Sequence, residues 1–402
     1  MTAERGSVAA ATASGEDGVV GDLVEDGPDD GVGGQDDGVG GVDAGDPGRA
    51  AGVDDLDHDG RRRRTVLWIA GLSVALLLSL PIAVGIGPIA VPVGTVARIV
   101  GWNLVGFPAE VTWSTTEDSI VWLLRVPRVL LGAAVGAGLA VAGVALQALT
   151  RNILAEPYLL GVTSGASTLA AASILFGVGA GIGSGSLAGS AFLGALAAGV
   201  GVFLLARVGG QMTSTRLVLA GVSAGYVLHA LTSFLIFASD DPDAGRSVLF
   251  WTLGSLTLAT GQSVLVTWVV VLLTGVLLLV WARPLDALAL GDNTARTFGI
   301  SPTRLRATVM VVVALCVGAL VAAAGGIGFV GLIIPHVARM CVGTAHRRLL
   351  PVAALLGAVF LVWADVIARI ALAPQELPLG IVTAIIGAPL LFLLVRRLNP
   401  AR

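Results

Sequence analysis

From residue 65 onward the chain is dominated by long unbroken apolar runs, without the one-sided stripes of a water-soluble fold. A helix needs about 20 apolar residues to cross roughly 30 Å of hydrocarbon. Runs approaching or exceeding that length lie at about 65–85, 129–149, 158–180, 186–206, 215–238, 262–281, 305–324, 328–343, 350–372 and 379–396, the eighth being short. Inside a bilayer every backbone donor and acceptor must be paired within the protein, which helices do by themselves. The pattern therefore predicts an all-α polytopic membrane protein with about ten transmembrane helices. Several runs carry breaks, as at Gly161 to Gly165, where freed backbone groups must meet protein or a water-filled cavity. Gly132, Gly136, Gly138 and Gly143 fall within one span. The Gly136 to Ala140 spacing lets helix backbones approach closely, so a packing role is expected for these small residues.

The charged positions orient the spans. Arg61 to Arg64 abut the first run, which favours a cytoplasmic start under the positive-inside rule. Threading ten spans from there leaves 17 arginines inside (61–64, 151, 207, 216, 283, 296, 304, 306, 339, 347, 348, 396, 397 and 402) and five outside (98, 125, 128, 246 and 369). Both termini are then expected in the cytoplasm. Residues 1–60 hold 16 of the 27 acids, only Arg5 and Arg49 in opposition, and no aromatic residue. Such a Gly- and Asp-rich segment cannot bury enough surface to offset its ordering entropy. It reads as a disordered acidic cytoplasmic tail, and not as a secretory signal peptide, ahead of a transmembrane domain at 61–402.

Composition narrows the function. Hydrophobic residues make up 55% of the chain and charged residues 13%, about half the charge of a soluble domain. All 24 basic residues are Arg. A P-loop needs a Lys on the nucleotide phosphates, so this chain cannot carry one, and any ATP that drives it is hydrolysed by another polypeptide. The chain is not expected to be an enzyme. Cys316 and Cys341 lie in apolar stretches without metal-ligand spacing and read as small core residues. His229 stands alone in a span, where an ionisable residue is a functional candidate; a packed, hydrogen-bonded neutral ring is the reading preferred. No catalytic or metal constellation is visible, so no cofactor, metal or nucleic acid is expected. An ion-coupled secondary transporter is the rival class, but it normally needs intramembrane carboxylates, and Asp365 is nearly the only candidate.

Arg125-Val-Pro-Arg128, the following run to Thr150, and Arg151-Asn-Ile-Leu-Ala-Glu-Pro157 together resemble the permeases of vitamin B12, iron-siderophore and haem ABC importers, the FecCD-type subunits. So do Gly325-Gly-Ile-Gly-Phe-Val-Gly-Leu-Ile-Ile-Pro-His336 and Glu376-Leu-Pro-Leu-Gly-Ile-Val-Thr-Ala-Ile-Ile-Gly-Ala-Pro389. The resemblance runs from about 120 to 397 with its motifs in order. Ile153 departs from it, standing where the family has Pro, which puts the local bend in question. The resemblance implies a homodimer around a central pathway, two ATP-binding subunits and an extracytoplasmic substrate-binding protein. The cargo is a bulky metal chelate, leaning to cobalamin, with ferric siderophore or haem as alternatives.

It also assigns roles. Arg125, Arg128 and Arg369 would receive acidic residues of the binding protein, for which bidentate guanidinium forks are suited. The alternative is interfacial snorkelling, with Asp365 pairing Arg369 one turn away. Residues 282–301 would form the cytoplasmic coupling loop, two short helices separated at Gly291. Asp286, Leu288, Leu290, Gly291, Asp292, Arg296 and Gly299 would carry it. Leu288 and Leu290 are expected as apolar knobs, and Asp292 with Arg296 as an i,i+4 pair. Ser214 and Thr215 fall where the cytoplasmic gate closes, although a helix N-cap would use the same residue types. His336 sits in a family motif, and His346 beside Arg347 and Arg348.

Overall fold

The computed structural model describes residues 47–107, 110–157, 161–179, 186–207 and 213–398. Contacts divide the chain into 1–53 and Asp54–Arg402. Only the start of a helix is described in the first unit, and the helical bundle belongs to the second. The expected tail over 1–60 thus lies largely outside the described residues, and from Pro47 the backbone is helical.

The helices are α1 (Pro47–Gly85), α2 (Val93–Val105), α3 (Thr115–Asp118), α4 (Val126–Thr150), α5 (Val162–Phe176), α6 (Ser186–Ala206), α7 (Ser214–Phe237) and α8 (Ala244–Thr252). They continue with α9 (Gly261–Val280), α10 (Ala282–Leu290), α11 (Asp292–Thr297), α12 (Pro302–Ala324), α13 (Val330–Val342), α14 (His346–Ile370) and α15 (Leu379–Leu398). Among the described residues seven helical stretches are long and apolar enough to cross a membrane: Gly60–Gly85, Thr115–Thr150, α6, α7, α9, α12 and α14. The other three runs read as spans are shorter apolar helices, α5, α13 and Leu379–Leu393 of α15. Backbone geometry explains two of these. Left-handed Gly161 and Gly177 bound α5. Left-handed Phe329 and positive-φ Gly343 hold α13 to 13 residues, roughly 20 Å at 1.5 Å per residue. Hydropathy counts these runs as spans because the residues on either side of each break are apolar too.

α4 is the axis of the bundle. It packs against α14, α9, α13 and α12, and 94% of the apolar window of its stretch is buried. Small residues make this possible, since lipid offers no hydrophobic drive for helices to associate. A Cβ on Gly136 would lie 2.2 Å from the Gly357 carbonyl oxygen, and one on Gly143 would lie 2.0 Å from that of Gly331. A Cβ on Gly357 would in turn meet the Ala140 Cβ at 2.7 Å. The Gly136–Ala140 pair thus brackets a glycine of α14, which is the packing role expected of it.

Before α4, Ser114 and Glu117 form a reciprocal capping box. A π-helical turn over Ser119–Arg125 then feeds into α4. α2 was not foreseen. It buries Val96 and Ile99 while Trp102, Leu104 and Val105 stay exposed, an amphipathic pattern too short to stand out from its surroundings.

Candidate functional site

Two charged junctions lie at the two ends of α4, roughly 30 Å apart along its axis at 1.5 Å per residue. The first gathers Arg125, Arg128, Asp365, Arg369 and Glu376. Arg128 donates from Nε to Asp365 Oδ1 at 2.9 Å and from Nη1 to the Glu376 carboxylate at 2.9 and 3.0 Å. Arg369 pairs with the second Asp365 oxygen at 3.1 Å, the one-turn pairing that its spacing suggests. Its Nη1 and Nη2 donate to the carbonyls of Ile86 and Ala83 at 2.8 and 3.0 Å. Arg125 donates to Val84 and Gly85 at 3.0 and 3.2 Å, and also to Ile89. A helix end leaves its last carbonyls without intrahelical partners and carries partial negative charge. Two guanidiniums from elsewhere in the chain satisfy those of α1.

This placement differs from exposed docking forks. Arg125, Arg128 and Arg369 are 7%, 8% and 2% exposed, and most of their donors are committed within the chain. A buried charge must be paired and hydrogen-bonded, and the α1 terminus and Asp365 supply those partners. Only Glu376, with a side chain 35% exposed, brings the cluster to the surface.

The second junction forms at the other end of α4. Arg306, in the first turns of α12, is fully buried. Its Nε donates to the Leu149 carbonyl at 3.1 Å, and Nη1 and Nη2 take both oxygens of Asp292 at 2.9 and 2.7 Å. Nη2 also reaches Ser214 Oγ at 3.3 Å, and that hydroxyl donates to Leu149 O at 3.2 Å. Arg151 adds a looser contact to Asp292 at 3.6 Å. The hydrogen bonds from Arg306 hold the Asp292 carboxyl below the ordinary carboxylate range, burial opposing them and the neighbouring arginines assisting.

α10 and α11 form the two short helices expected over 282–301, with Gly291 between them at φ 132° and ψ 159°. Gly299, at φ 75°, follows α11. Three details differ from expectation. Leu288 is fully buried, so Leu290, at 75% exposure, is the knob, and Phe298 at 71% is a second that was missed. Asp292 is committed to Arg306 instead of Arg296, whose Nη1 donates to Asn293 Oδ1 at 3.1 Å. Asp286 turns inward to accept the backbone N–H of His346 at 2.9 Å and contacts its ring Nδ1, capping α14. At α7 the N-cap is Thr213, which accepts from Arg216 N. Ser214 joins the Arg306 junction, and Thr215 is exposed.

The bend after α4 survives without Pro at Ile153. Arg151 takes a left-handed conformation, and the Asn152 side chain accepts from Leu154 N at 2.9 Å, an Asx turn. Glu156 then accepts from the backbone N–H of left-handed Phe329 at 3.2 Å, and burial raises its carboxyl above the ordinary range. His229 is exposed on α7 and not packed. Of the junction residues, Arg306 and Glu376 were not singled out from sequence. An arginine five residues into an apolar helix was the available signal for Arg306.

A family model described as the FecCD transport family matches residues 72–397. The vitamin B12 import system permease protein BtuC of Vibrio cholerae serotype O1 is 41% identical over 285 residues, 71% of this chain and 85% of that protein. BtuC of Escherichia coli O17:K52:H18 is 38% identical over 332 residues, 82% of this chain and 94% of that one. Among solved structures, a metal-chelate type ABC transporter in an inward-facing conformation aligns with a TM-score of 0.70 at 33% identity, covering 82% of this chain and 98% of the other. PsaBC from Streptococcus pneumoniae in complex with Fab aligns at a TM-score of 0.50 and 15% identity over 69% of this chain and 92% of that one, a likeness of fold alone.

Proposed function

The chain belongs to the FecCD transport family, and from that premise we propose that it is the membrane-spanning permease subunit of an ATP-binding-cassette importer, embedded in the cytoplasmic membrane. The cargo is a bulky metal chelate, and cobalamin is the first choice because the relatives at 37–41% identity are named for vitamin B12 import. Ferric siderophore and haem are the alternatives. The observation that carries the reading is the continuity of the match, which runs through 72–397 and so takes in the spans, both charged junctions and the α10–α11 segment.

In this reading about ten segments cross or enter the membrane, with both termini and the acidic tail on the cytoplasmic side. ATP is hydrolysed by two separate subunits, and α10–α11 seats on them. Leu290 and Phe298 are the contacts that bury apolar surface there, and Gly291 and Gly299 set the angles. Asp286 ties the same segment to α14. A second copy of the chain completes the pathway. Support for this comes from α7, where Ser223, Tyr226, His229 and Ser233 are exposed and fall within an arc of about 120° at 100° per residue. Polar groups on a span face water or protein in preference to lipid. Ser214 and Thr215 begin that helix and stand at the cytoplasmic gate.

An extracytoplasmic binding protein docks at the first junction. Arg125 and Arg369 hold the end of α1, so Arg128 is the guanidinium a partner carboxylate reaches, in competition with the partly exposed Glu376. Three arginines against two carboxylates leave the cluster a net positive charge, which steers an acidic partner.

Uptake in a strain lacking this gene tests the cargo, with radiolabelled cobalamin compared against iron given as a siderophore. Loss of cobalamin uptake alone is expected. Loss of iron uptake alone would assign the chain to siderophores, and no change in either would move the search to haem.

A further inference from the structure

If α10–α11 receives the motion of the ATPase and the start of α7 forms the gate, the two must be joined, and packing does not obviously join them. α11 rests on α10 and α12, whereas α7 packs on α4, α5, α6 and α8. Their hydrogen-bonded meeting place is the Arg306 guanidinium, with Asp292, the first residue of α11, on one side and Ser214, the first of α7, on the other. We propose that Arg306 is the positioning residue that transmits displacement of α11 to the gate end of α7. The inference rests on the importer reading and adds to it the residue through which coupling runs.

The physical case has three parts. Arg306 is fully buried and the Asp292 side chain is 25% exposed, so moving Asp292 away removes the carboxylate from a guanidinium held out of water, which is costly. Its donors are arranged in a rigid planar fork, so a shift of Asp292 turns the whole plane. Nη2 serves Asp292 Oδ1 and Ser214 Oγ together, at 2.7 and 3.3 Å. Any rotation that follows Asp292 therefore moves the donor held by Ser214. Meanwhile Nε stays anchored on Leu149 O, at the end of the most buried helix of the bundle, which supplies a fixed pivot. Gly291, at φ 132° without a Cβ, lets α11 swing relative to α10. The remaining hydroxyl bond from Ser214 to Leu149 O closes the linkage onto the same pivot.

The test uses the full complex with its ATP-binding subunits in lipid nanodiscs. The chain carries Cys316→Ala, Cys341→Ala and Thr215→Cys, and the probe is a water-soluble maleimide. Labelling of position 215 is compared without nucleotide and with ATP plus vanadate. In this parent, nucleotide should change the labelling rate at least about five-fold, the lower range of ordinary coupling. Adding Arg306→Lys keeps the charge but loses the fork. It should cut that response below about two-fold while ATP hydrolysis by the assembled complex stays within about two-fold of the parent, a split that marks lost coupling and not lost folding. Ser214→Ala, a smaller change that keeps Arg306 and Asp292 paired, should give a partial loss and stands alone if the lysine variant fails to assemble. A full nucleotide response in Arg306→Lys, or in Ser214→Ala where that variant stands alone, would overturn the proposal. So would hydrolysis and response falling in parallel. A parent that hydrolyses ATP with no change at position 215 would overturn the assignment of the α7 start as the gate, and this inference with it, while the importer reading stands or falls on uptake.

Discussion

At Arg128 two carboxylates compete for one guanidinium, and the competition sets what substitutions there do. Asp365 is 1% exposed, and without Arg128 it keeps only Arg369, so the cost lies below the about 3–5 kcal/mol of a fully broken buried pair. Arg128→Ala is therefore expected to lower the thermal unfolding temperature of the purified chain in detergent, whereas Glu376→Ala, on the exposed side, should leave it nearly unchanged. The docking role makes a separate prediction. Glu376→Gln frees Arg128 for a partner and should strengthen stimulation of ATP hydrolysis by the binding protein, read as a lower half-saturating concentration; weaker stimulation would count against it. Glu156 offers a check by pH. Burial raises its folded carboxyl, so its contribution favours the fold at low pH and is lost as pH rises through the folded value. Glu156→Gln keeps an acceptor for Phe329 N–H and should remove that decline, making the variant more stable than the parent above the folded value and no more stable at pH 4. Little of this network was legible from sequence. The Asp365–Arg369 spacing showed itself because it is local, but Arg128 finds its partners 237 and 248 residues away. Arg306 finds Leu149 157 residues away.

Helices in this bundle are set by contacts that hydropathy cannot express. Seven of the apolar runs coincide with helices long and apolar enough to cross a membrane, because length and composition suffice to mark them. α5 and α13 are shorter than their runs because Gly161 and Phe329 take left-handed conformations, and α2 is amphipathic over too few residues to stand out. The glycines of α4 were legible as a packing motif, and the structure supplies their partners. Gly136→Val would force a Cβ to within 2.2 Å of the Gly357 carbonyl, which overpacking makes worse than the usual roughly 1–3 kcal/mol because the obstruction is backbone. Loss of monodisperse chain in detergent is expected for Gly136→Val, and normal behaviour for Gly71→Val, where a Cβ meets nothing within 4 Å. On α10–α11, Leu290→Asp and Phe298→Asp should weaken co-purification of the ATP-binding subunits about ten-fold or more, since exposed apolar anchors dominate such interfaces. Leu288→Asp should instead reduce the yield of folded chain, because Leu288 is core. Equal effects from all three would refute the division of the segment into a docking face and a buried face.

Taken whole, the molecule has a well-packed axis and a poorly covered flank. The α4 stretch is 94% buried in its apolar window, whereas α7 is 11% buried and exposes Tyr226, His229 and Ser233. An isolated chain cannot make a polar flank comfortable in lipid, and a second copy across a shared pathway would cover it. Family membership was legible from the ordered motifs in the sequence, because each is a continuous stretch. Cargo was less so, since on the proposed reading the pathway would release a large ligand and would hold few fixed polar contacts. The direct test of the central claim is transport itself, in proteoliposomes containing this chain, its ATP-binding subunits and the binding protein. Accumulation of radiolabelled cobalamin that requires hydrolysable ATP and is unaffected by collapsing the proton and sodium gradients is the predicted result. Uptake that persists without ATP and vanishes with the gradients would contradict the account and make the chain an ion-coupled transporter.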